Sequence, residues 1–303
     1  MRRLALKTFL ILLPFALAAG VVAWVDPFAY FPWNAGAKDP AREDIAYRLS
    51  PTLWKLAAFR HAPAPHLLLG DSRMASLDTG RIASLTGEPF ANLGYGGGSL
   101  DEAIRTFWFA DARMPLRSAT FGINLDLYNE SNAKDRVTGT EKILASPGLY
   151  LCDRLVLRAT GYALALAGGG RRPALGVPPM SPDAFWNHQL DVTARIAYES
   201  YRYPKGYRRR LEEIAAHCRK RGIALRFVIF PEHTDLTARA ARFGLDGGAD
   251  RMRADLQAIG ETVDLGSLLD RTDRSLFTDP YHFGPAIEGR IIDHLWSAAP
   301  RRF

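Results

Sequence analysis

Residues 66–74 read His-Leu-Leu-Leu-Gly-Asp-Ser-Arg-Met, and this stretch decides how the chain folds. An apolar run ends at a Gly-Asp-Ser turn, and apolar residues then recur at helical spacing as far as residue 86. The pattern predicts a buried strand that delivers Ser72 to the end of a sheet, followed by a helix. Such a turn exposes the serine hydroxyl and points the serine N–H toward a developing anion. A tripeptide this short also occurs in ordinary turns, so its meaning depends on the rest of the chain.

The chain beyond this stretch alternates between strand-like and helix-like segments. Strands are predicted at residues 89–94, 119–124, 223–230 and 262–265, and helices at residues 100–112, 207–221, 251–259 and in a last segment that ends at Trp296. Strands that alternate with helices favour a parallel sheet with helices on both faces, which is an α/β fold.

The N-terminus carries positive charge followed by a long uncharged run. Arg2, Arg3 and Lys7 precede residues 8–25, and about 20 apolar residues are needed to span a bilayer. The pattern predicts a transmembrane signal anchor in the inner (cytoplasmic) membrane, with the remaining chain on the periplasmic, extracytoplasmic side. The Ala-Leu-Ala sequence at residues 16–18 offers the alternative of a cleaved signal peptide. Apolar and aromatic residues that continue beyond it favour the uncleaved anchor.

The sequence also indicates a domain organisation. We expect residues 1–33 to form the anchor and its membrane interface, residues 34–65 a connecting segment, and residues 66–303 the α/β domain. An amphipathic helix around residues 47–59 is expected to lie against that domain. Residues 130–203 interrupt the alternation with glycine-rich and proline-rich pieces. We interpret them as an insertion that serves as a lid or as a docking surface for a partner.

Composition excludes several classes of function. The chain has 303 residues and a net charge of +7, and no nucleic-acid-binding motif accompanies the positive charge. Its two cysteines, Cys152 and Cys218, lack the spacing of a zinc or redox motif. The glycine-rich residues 94–99 lack the third glycine of the dinucleotide fingerprint and the lysine of a phosphate loop. We therefore expect no nucleic-acid partner, no metal ion and no cofactor.

Polar side chains with complementary chemistry fall at or just after predicted strand ends. Ser72 follows the first strand, and Asp279 and His282 lie in a turn before the last helix. A histidine has the pKa to act as general base for a serine, and a carboxylate three residues earlier can orient the imidazole. The sequence therefore predicts a catalytic triad of Ser72, His282 and Asp279.

An oxyanion beside Ser72 would need hydrogen-bond donors. We expect these to be the N–H of Ser72, a glycine N–H from the loop that contains Gly94 and Gly97, and the side-chain amide of Asn124. Asn124 ends a predicted strand, and the carboxyl ends of parallel strands are where ligand-binding crevices form.

Two further residues are candidates for substrate binding. Arg73 follows the serine and is either a solvated helix residue or a cation that attracts an anionic substrate. His233 follows Phe-Pro-Glu at the end of a predicted strand, whereas the remaining histidines outside the triad fit surface or structural roles.

The sequence resembles the SGNH (GDSL-type) hydrolase superfamily in four blocks that occur in the family's order. They are residues 70–72, the glycine loop after Asn92, residues 122–124 and residues 279–282, and the resemblance covers roughly residues 66–297. One departure is Leu125, which separates Asn124 from Asp126 where the family has Asp directly after Asn. The resemblance implies a three-layer, flavodoxin-like fold of about five parallel strands, and acyl transfer through a serine ester.

The N-terminal anchor is similar to that of the membrane-anchored branch of DltD-like and alginate O-acetylation-like proteins. This similarity implies O-acetyl or acyl transfer to an exported polysaccharide or cell-envelope glycan, or ester hydrolysis on it, with a membrane-bound O-acyltransferase as partner. The sequence does not separate transferase from esterase, although an anchor near a membrane acyl donor favours the transferase. A non-catalytic scaffold subunit of a polysaccharide-modification complex is the alternative of another class.

Overall fold

The computed structural model describes residues 1–36, 39–170 and 180–297. The chain divides into two compact units, one of Met1–Ala62 with Arg136–Val177 and the other of Pro63–Asp135 with Pro178–Phe303. The interruption predicted at residues 130–203 is therefore shared between the two units. Residues 171–179, which include most of its proline-rich piece, lie outside the described residues.

The first unit is helical. Its helices are α1 (Arg2–Val25), α2 (Pro40–Leu49), α3 (Pro51–His61), α7 (Val137–Ala145), α8 (Pro147–Cys152) and α9 (Arg154–Ala167). The single helix predicted around residues 47–59 is wrong, because Pro51 begins a new helix and the Ser50 hydroxyl caps it by accepting from the N–H of Leu53. Helix α1 is long and apolar enough to cross a membrane or to be a signal sequence.

A buried carboxylate fixes the turn that follows α1. Asp26 accepts hydrogen bonds from the N–H groups of Tyr30 and Phe31 at 2.9 and 3.0 Å. The hydroxyl of Tyr150, from α8, donates to the same carboxylate at 2.6 Å. Because Asp26 is fully buried, these donors replace the water that its charge would otherwise need.

The second unit is built on a sheet of five parallel strands. They are β1 (His66–Leu69), β2 (Phe90–Asn92), β3 (Ser118–Gly122), β4 (Ala224–Ile229) and β5 (Glu261–Asp264), in the order β2-β1-β3-β4-β5. The predicted α/β fold with five parallel strands is confirmed. In this flavodoxin-like order β2 is added on one side of β1, and β3 to β5 are added on the other side. The strand order therefore reverses between β1 and β3, and the crevice at that switch point is where ligands bind in such sheets.

Helices surround this sheet. They are α4 (Ser72–Ala75), α5 (Thr79–Thr86), α6 (Leu100–Asp111), α10 (Pro182–His188), α11 (Ala194–Glu199), α12 (Lys205–Arg221), α13 (Thr234–Ala241), α14 (Gly248–Ile259) and α15 (Pro285–Trp296). Leu68 and Val228 point into a core that includes Ile287 and Ile291 of α15. Because strand side chains alternate between faces, Phe121 lies on the opposite face, where its ring is 6.1 Å from that of Phe107 in α6.

Two local features differ from the sequence prediction. The helix expected over residues 73–86 is two helices, because the Asp78 carboxylate accepts from the N–H of Gly80 and starts a new one. The turn expected at residues 279–282 lies in a small antiparallel hairpin of β6 (Phe277–Asp279) and β7 (His282–Phe283). Asp279 and His282 are paired across that hairpin.

Candidate active site

Ser72 lies directly after β1, in a turn that approaches the end of β3 closely. Gly70 has a φ of +151°, and a Cβ atom at this position would lie 2.8 Å from the carbonyl oxygen of Gly122. A residue with a side chain would therefore push the two strand ends apart. The Asp71 carboxylate accepts from the N–H of Arg73 at 2.9 Å and begins α4, whose first residue is Ser72. The turn thus presents a partly exposed serine at the switch point of the sheet.

The hairpin of β6 and β7 places His282 against Ser72. The Ser72 Oγ atom lies 2.6 Å from His282 Nε2, and His282 Nδ1 lies 2.7 Å from Asp279 Oδ2. A carboxylate can only accept, so Nδ1 carries the proton and Nε2 is free to accept the proton of the Ser72 hydroxyl. The three residues predicted as a triad are thus brought together in one hydrogen-bonded chain.

The carboxylate of Asp279 accepts hydrogen bonds at both of its oxygens. Asp279 is buried, and its second oxygen accepts from the N–H of Tyr281 at 2.9 Å. The His282 side chain is 30% exposed, so part of the imidazole is accessible. A buried, oriented carboxylate beside a partly exposed imidazole suits a group that must gain and return a proton.

Arg73 does not have either role that the sequence suggested. Its side chain is 1% exposed, and its guanidinium contacts three carboxylates. Nη1 donates to Glu232 at 2.5 Å, Nη2 donates to Asp126 at 2.6 Å, and Nε donates to Asp71 at 3.1 Å. The prediction of a solvated or substrate-binding arginine is therefore wrong, because the buried guanidinium is paired with carboxylates of the protein itself.

The three carboxylates around Arg73 leave a surplus of negative charge. Burial raises the pKa of Glu232 from its ordinary value to about 7, and repulsion from Asp126 adds to this rise although Arg73 opposes it. Sequence analysis missed this cluster. The available signal was that Asp126 and Glu232 each follow a predicted strand, and parallel strands end at one edge of a sheet.

The side chain of Asn124 is hydrogen-bonded within the fold. Its side chain is buried, its amide donates to the carbonyl of Phe230 at 2.8 Å, and its oxygen accepts from the N–H of the same residue at 3.1 Å. The Asn124 amide also lowers the pKa of the Glu232 carboxyl, against the larger effect of burial that raises it. The two bonds to Phe230 bridge the ends of β3 and β4 and use one of the two amide N–H groups, so the expectation that Asn124 donates to an oxyanion stays a prediction.

The two glycines expected at the oxyanion differ from each other. The Gly94 N–H donates to the Asn92 side chain at 3.1 Å. The backbone of Gly94 also lies so close to Ala75 that a Cβ atom on Gly94 would be 2.8 Å from the Ala75 backbone nitrogen. Gly94 is therefore a packing residue, and the expectation that it serves the oxyanion is wrong. Gly97 is exposed with a φ of +55°, and its carbonyl accepts from the Lys134 ammonium at 3.2 Å.

His233 is a structural residue. It is 5% exposed, and its Nδ1 accepts from the N–H of Asp235, which caps α13. Its Nε2 donates to the carbonyl of Thr272 at 3.3 Å. The expectation that His233 binds substrate is wrong, because both ring nitrogens are used within the fold. Among the residues that the structure describes, no group of three His, Cys, Asp or Glu side chains is arranged to hold a metal ion.

The chain has structural likeness to solved proteins. No family model matches the chain, and no curated protein matches it. A solved structure from Streptococcus pneumonia, described provisionally as a platelet activating factor, is 11% identical in sequence. The match covers 82% of this chain and 91% of that chain, with a TM-score of 0.44.

Proposed function

We propose that this protein is a serine acyl-transfer enzyme in which Ser72 is the nucleophile, His282 the general base and Asp279 the orienting carboxylate. The observation that supports this proposal is the continuous hydrogen-bonded chain from Ser72 Oγ through both ring nitrogens of His282 to Asp279. The partners on either side of the imidazole have the chemistry that activates a hydroxyl for attack on an ester.

The reaction has two halves. The Ser72 Oγ atom attacks the carbonyl carbon of an ester, and its proton passes to His282 Nε2 while Asp279 stabilises the imidazolium. The tetrahedral intermediate then expels its alcohol, which takes the proton from His282 and leaves an acyl ester on Ser72. In the second half, water or a sugar hydroxyl loses its proton to His282 and attacks the acyl carbonyl. The bond to Ser72 Oγ then breaks, and Ser72 takes that proton back from His282.

The oxyanion of each tetrahedral intermediate would be met by backbone donors. The Ser72 N–H lies in the first turn of α4, and Gly97 is an exposed residue of the glycine loop that follows β2. We assign the oxyanion to these two N–H groups. One N–H of the Asn124 amide is bonded to Phe230, and its second N–H is a further candidate donor. Loss of one such donor typically lowers the rate by about 10²–10³-fold.

We place the reaction outside the inner membrane, on an exported polysaccharide or cell-envelope glycan. Helix α1 supports this location, because it can serve as a membrane span or signal sequence after a positively charged start. The resemblance to membrane-anchored SGNH proteins favours O-acyl transfer over hydrolysis, with a membrane-bound O-acyltransferase as the partner that supplies the acyl group.

Replacement of the nucleophile tests the proposal. Ser72→Ala should lower ester turnover by at least about 10³-fold and leave the melting temperature unchanged, because it removes one small, partly exposed hydroxyl. A serine-directed fluorophosphonate should label Ser72 in the wild type, as located by mass spectrometry. The matched control is Ser84→Ala, at an exposed serine of α5 whose hydroxyl bonds only to the carbonyl of Arg81 among the described residues.

The same variant separates the alternatives in cells. We expect the acyl-ester content of exported glycans to fall equally in the gene deletion and in Ser72→Ala. Loss of acylation in the deletion alone would instead indicate a non-catalytic scaffold. A rise of acylation in both strains would keep the serine chemistry and make the protein an esterase.

A further inference from the structure

The buried guanidinium of Arg73 joins three strand ends at the carboxyl edge of the sheet. Asp71 lies in the turn after β1 and Arg73 in α4, which that turn begins, while Asp126 follows β3 and Glu232 follows β4. Each carboxylate receives a hydrogen bond from the guanidinium, whose five donors project in a fixed planar fork. One side chain therefore fixes the position of these three segments relative to one another.

The segment that contains Glu232 also holds the hairpin of the proposed triad. The N–H of His233 donates to the carbonyl of Pro280 at 3.0 Å, and Pro280 lies between Asp279 and His282. The Arg73 guanidinium carbon lies 5.9 Å from the ring centroid of Tyr281 in the same hairpin turn. A continuous path of contacts thus runs from Arg73 to the hairpin.

We propose that Arg73 is a positioning residue that ties the turn of Ser72 to the hairpin of Asp279 and His282 and thereby sets the Ser72–His282 hydrogen bond. This inference rests on the function proposed above. Arg73 touches no reacting atom, but it follows Ser72 directly in the chain and its partners reach the other half of the triad. A misplacement of about 1 Å in such a site can lower the rate by about 10²-fold.

The charges of the cluster decide which changes the fold can tolerate. One guanidinium faces the carboxylates of Asp71, Asp126 and Glu232, and the nearby Arg271 bonds the carbonyl of Glu232, not its carboxylate. Burial, followed by the charges of Asp126 and Glu232, also raises the pKa of two nearby buried hydroxyl groups, those of Tyr198 and Tyr281. Loss of Asp126 leaves Arg73 with two partners, whereas loss of Arg73 leaves three buried carboxylates without their cation.

The experiment measures kcat and KM for a short-chain ester, together with the rate of fluorophosphonate labelling of Ser72, in the full chain reconstituted in nanodiscs. Arg73→Met should lower kcat and the labelling rate by about 10²-fold with little change in KM. Arg73→Lys should recover part of this loss, because an ammonium keeps the charge without the planar fork. Asp126→Ala, which keeps Arg73 paired, should lower kcat by about tenfold and covers the case in which Arg73→Met does not fold.

The matched control is Arg81→Met in α5. Arg81 forms a two-pronged ion pair with Asp293, but both side chains are nearly half exposed and the pair lies outside the site. Its loss should leave kcat, KM and the labelling rate unchanged. If Arg73→Met and Asp126→Ala lower the melting temperature yet keep the labelling rate per folded molecule, Arg73 is only a structural residue and the proposal is overturned.

A readout other than activity separates this proposal from the proposed function. Nitrogen-15 resonances of labelled histidine, assigned with His282→Gln, report the bonds of both His282 ring nitrogens. In Arg73→Met, or in Asp126→Ala if that variant alone folds, we expect the Nε2 resonance to lose the shift due to Ser72, while Nδ1 keeps its bond to Asp279. If the wild type neither turns over esters nor reacts with the fluorophosphonate, the proposed function fails, and this resonance alone decides the role of Arg73. An unchanged Nε2 resonance would overturn that role.

Discussion

Replacement of Glu232 by glutamine should make the folded protein more stable at neutral and alkaline pH. Burial, with help from Asp126, raises the pKa of Glu232 from 4.5 to about 7, although its side chain bonds Arg73. The folded protein therefore favours the neutral carboxyl, whereas the unfolded chain ionises at the ordinary pKa. The free energy of unfolding consequently falls as pH rises from 4.5 to 7, and the loss is complete above pH 7.

The size of this effect follows from the two pKa values. A pKa difference of about 2.5 corresponds to about 3–4 kcal/mol, since a pKa difference of one is worth about 1.4 kcal/mol. The side chain is only 13% exposed, so solvent screening removes little of this energy. Glutamine has no charge to lose and keeps an oxygen that can accept from Arg73, so Glu232→Gln should abolish this part of the pH dependence.

Urea denaturation at pH 5, 6, 7 and 8 measures the difference in the free energy of unfolding between Glu232→Gln and the wild type. Because groups that do not interact with Glu232 contribute equally to both proteins, the difference should rise by about 2–3 kcal/mol in favour of the variant from pH 5 to pH 8. The control is Glu261→Gln, at an exposed carboxylate of β5 that pairs with Arg226. This control separates the effect of the buried position from the loss of any one carboxylate. A Glu232→Gln difference that is flat or falls with pH would refute the reasoning, because Glu232 would then be ionised throughout.

Three further changes test other parts of the site. Asp279→Asn should lower kcat by about 10³–10⁴-fold while the fold persists, because an amide in place of the carboxylate disfavours the His282 tautomer that accepts from Ser72. If kcat, measured with a short-chain ester, were retained, the role of Asp279 would be contradicted. Asn124→Ala should lower the free energy of unfolding by about 1–3 kcal/mol, because it leaves the N–H and carbonyl of Phe230 buried without partners, and denaturation with urea should detect this loss. A variant that keeps its stability but loses kcat would instead indicate that the Asn124 amide donates a hydrogen bond to the oxyanion. A reporter fused after Phe303 should be active only outside the cytoplasm, because Arg2, Arg3 and Lys7 precede α1; activity inside would contradict the proposed topology.

Local sequence pattern was enough to predict the sheet and the edge of it at which the candidate site lies. Alternating apolar runs and amphipathic segments predict β1 to β5 because each strand must bury both faces beneath helices. Ser72 and His282 are 210 residues apart, yet both follow predicted strands or precede a helix at the same edge. Since all parallel strands end at one edge, the sequence alone indicated that these residues meet there.

Local pattern did not determine which polar side chains are consumed inside the protein. An arginine after a serine at the start of a short helix looks like a solvated residue, and nothing nearby in the sequence pairs with it except Asp71. Only the tertiary structure brings Asp126 and Glu232 from two other strands to its guanidinium. The burial of Arg73 therefore depends on contacts over 53 and 159 residues, which no local periodicity records.

The same limit applies to Asn124, Gly94 and His233. Each has a donor that the sequence could offer to a ligand, and each ends or follows a predicted strand. In the fold, one amide N–H of Asn124 donates to the Phe230 carbonyl, the Gly94 N–H to the Asn92 side chain and the His233 ring to the Thr272 carbonyl. Sequence determines where polar groups lie along the strands, because secondary structure follows from local pattern. Only tertiary packing decides which of those groups remain available to a substrate, because each buried donor must first find an acceptor in the fold.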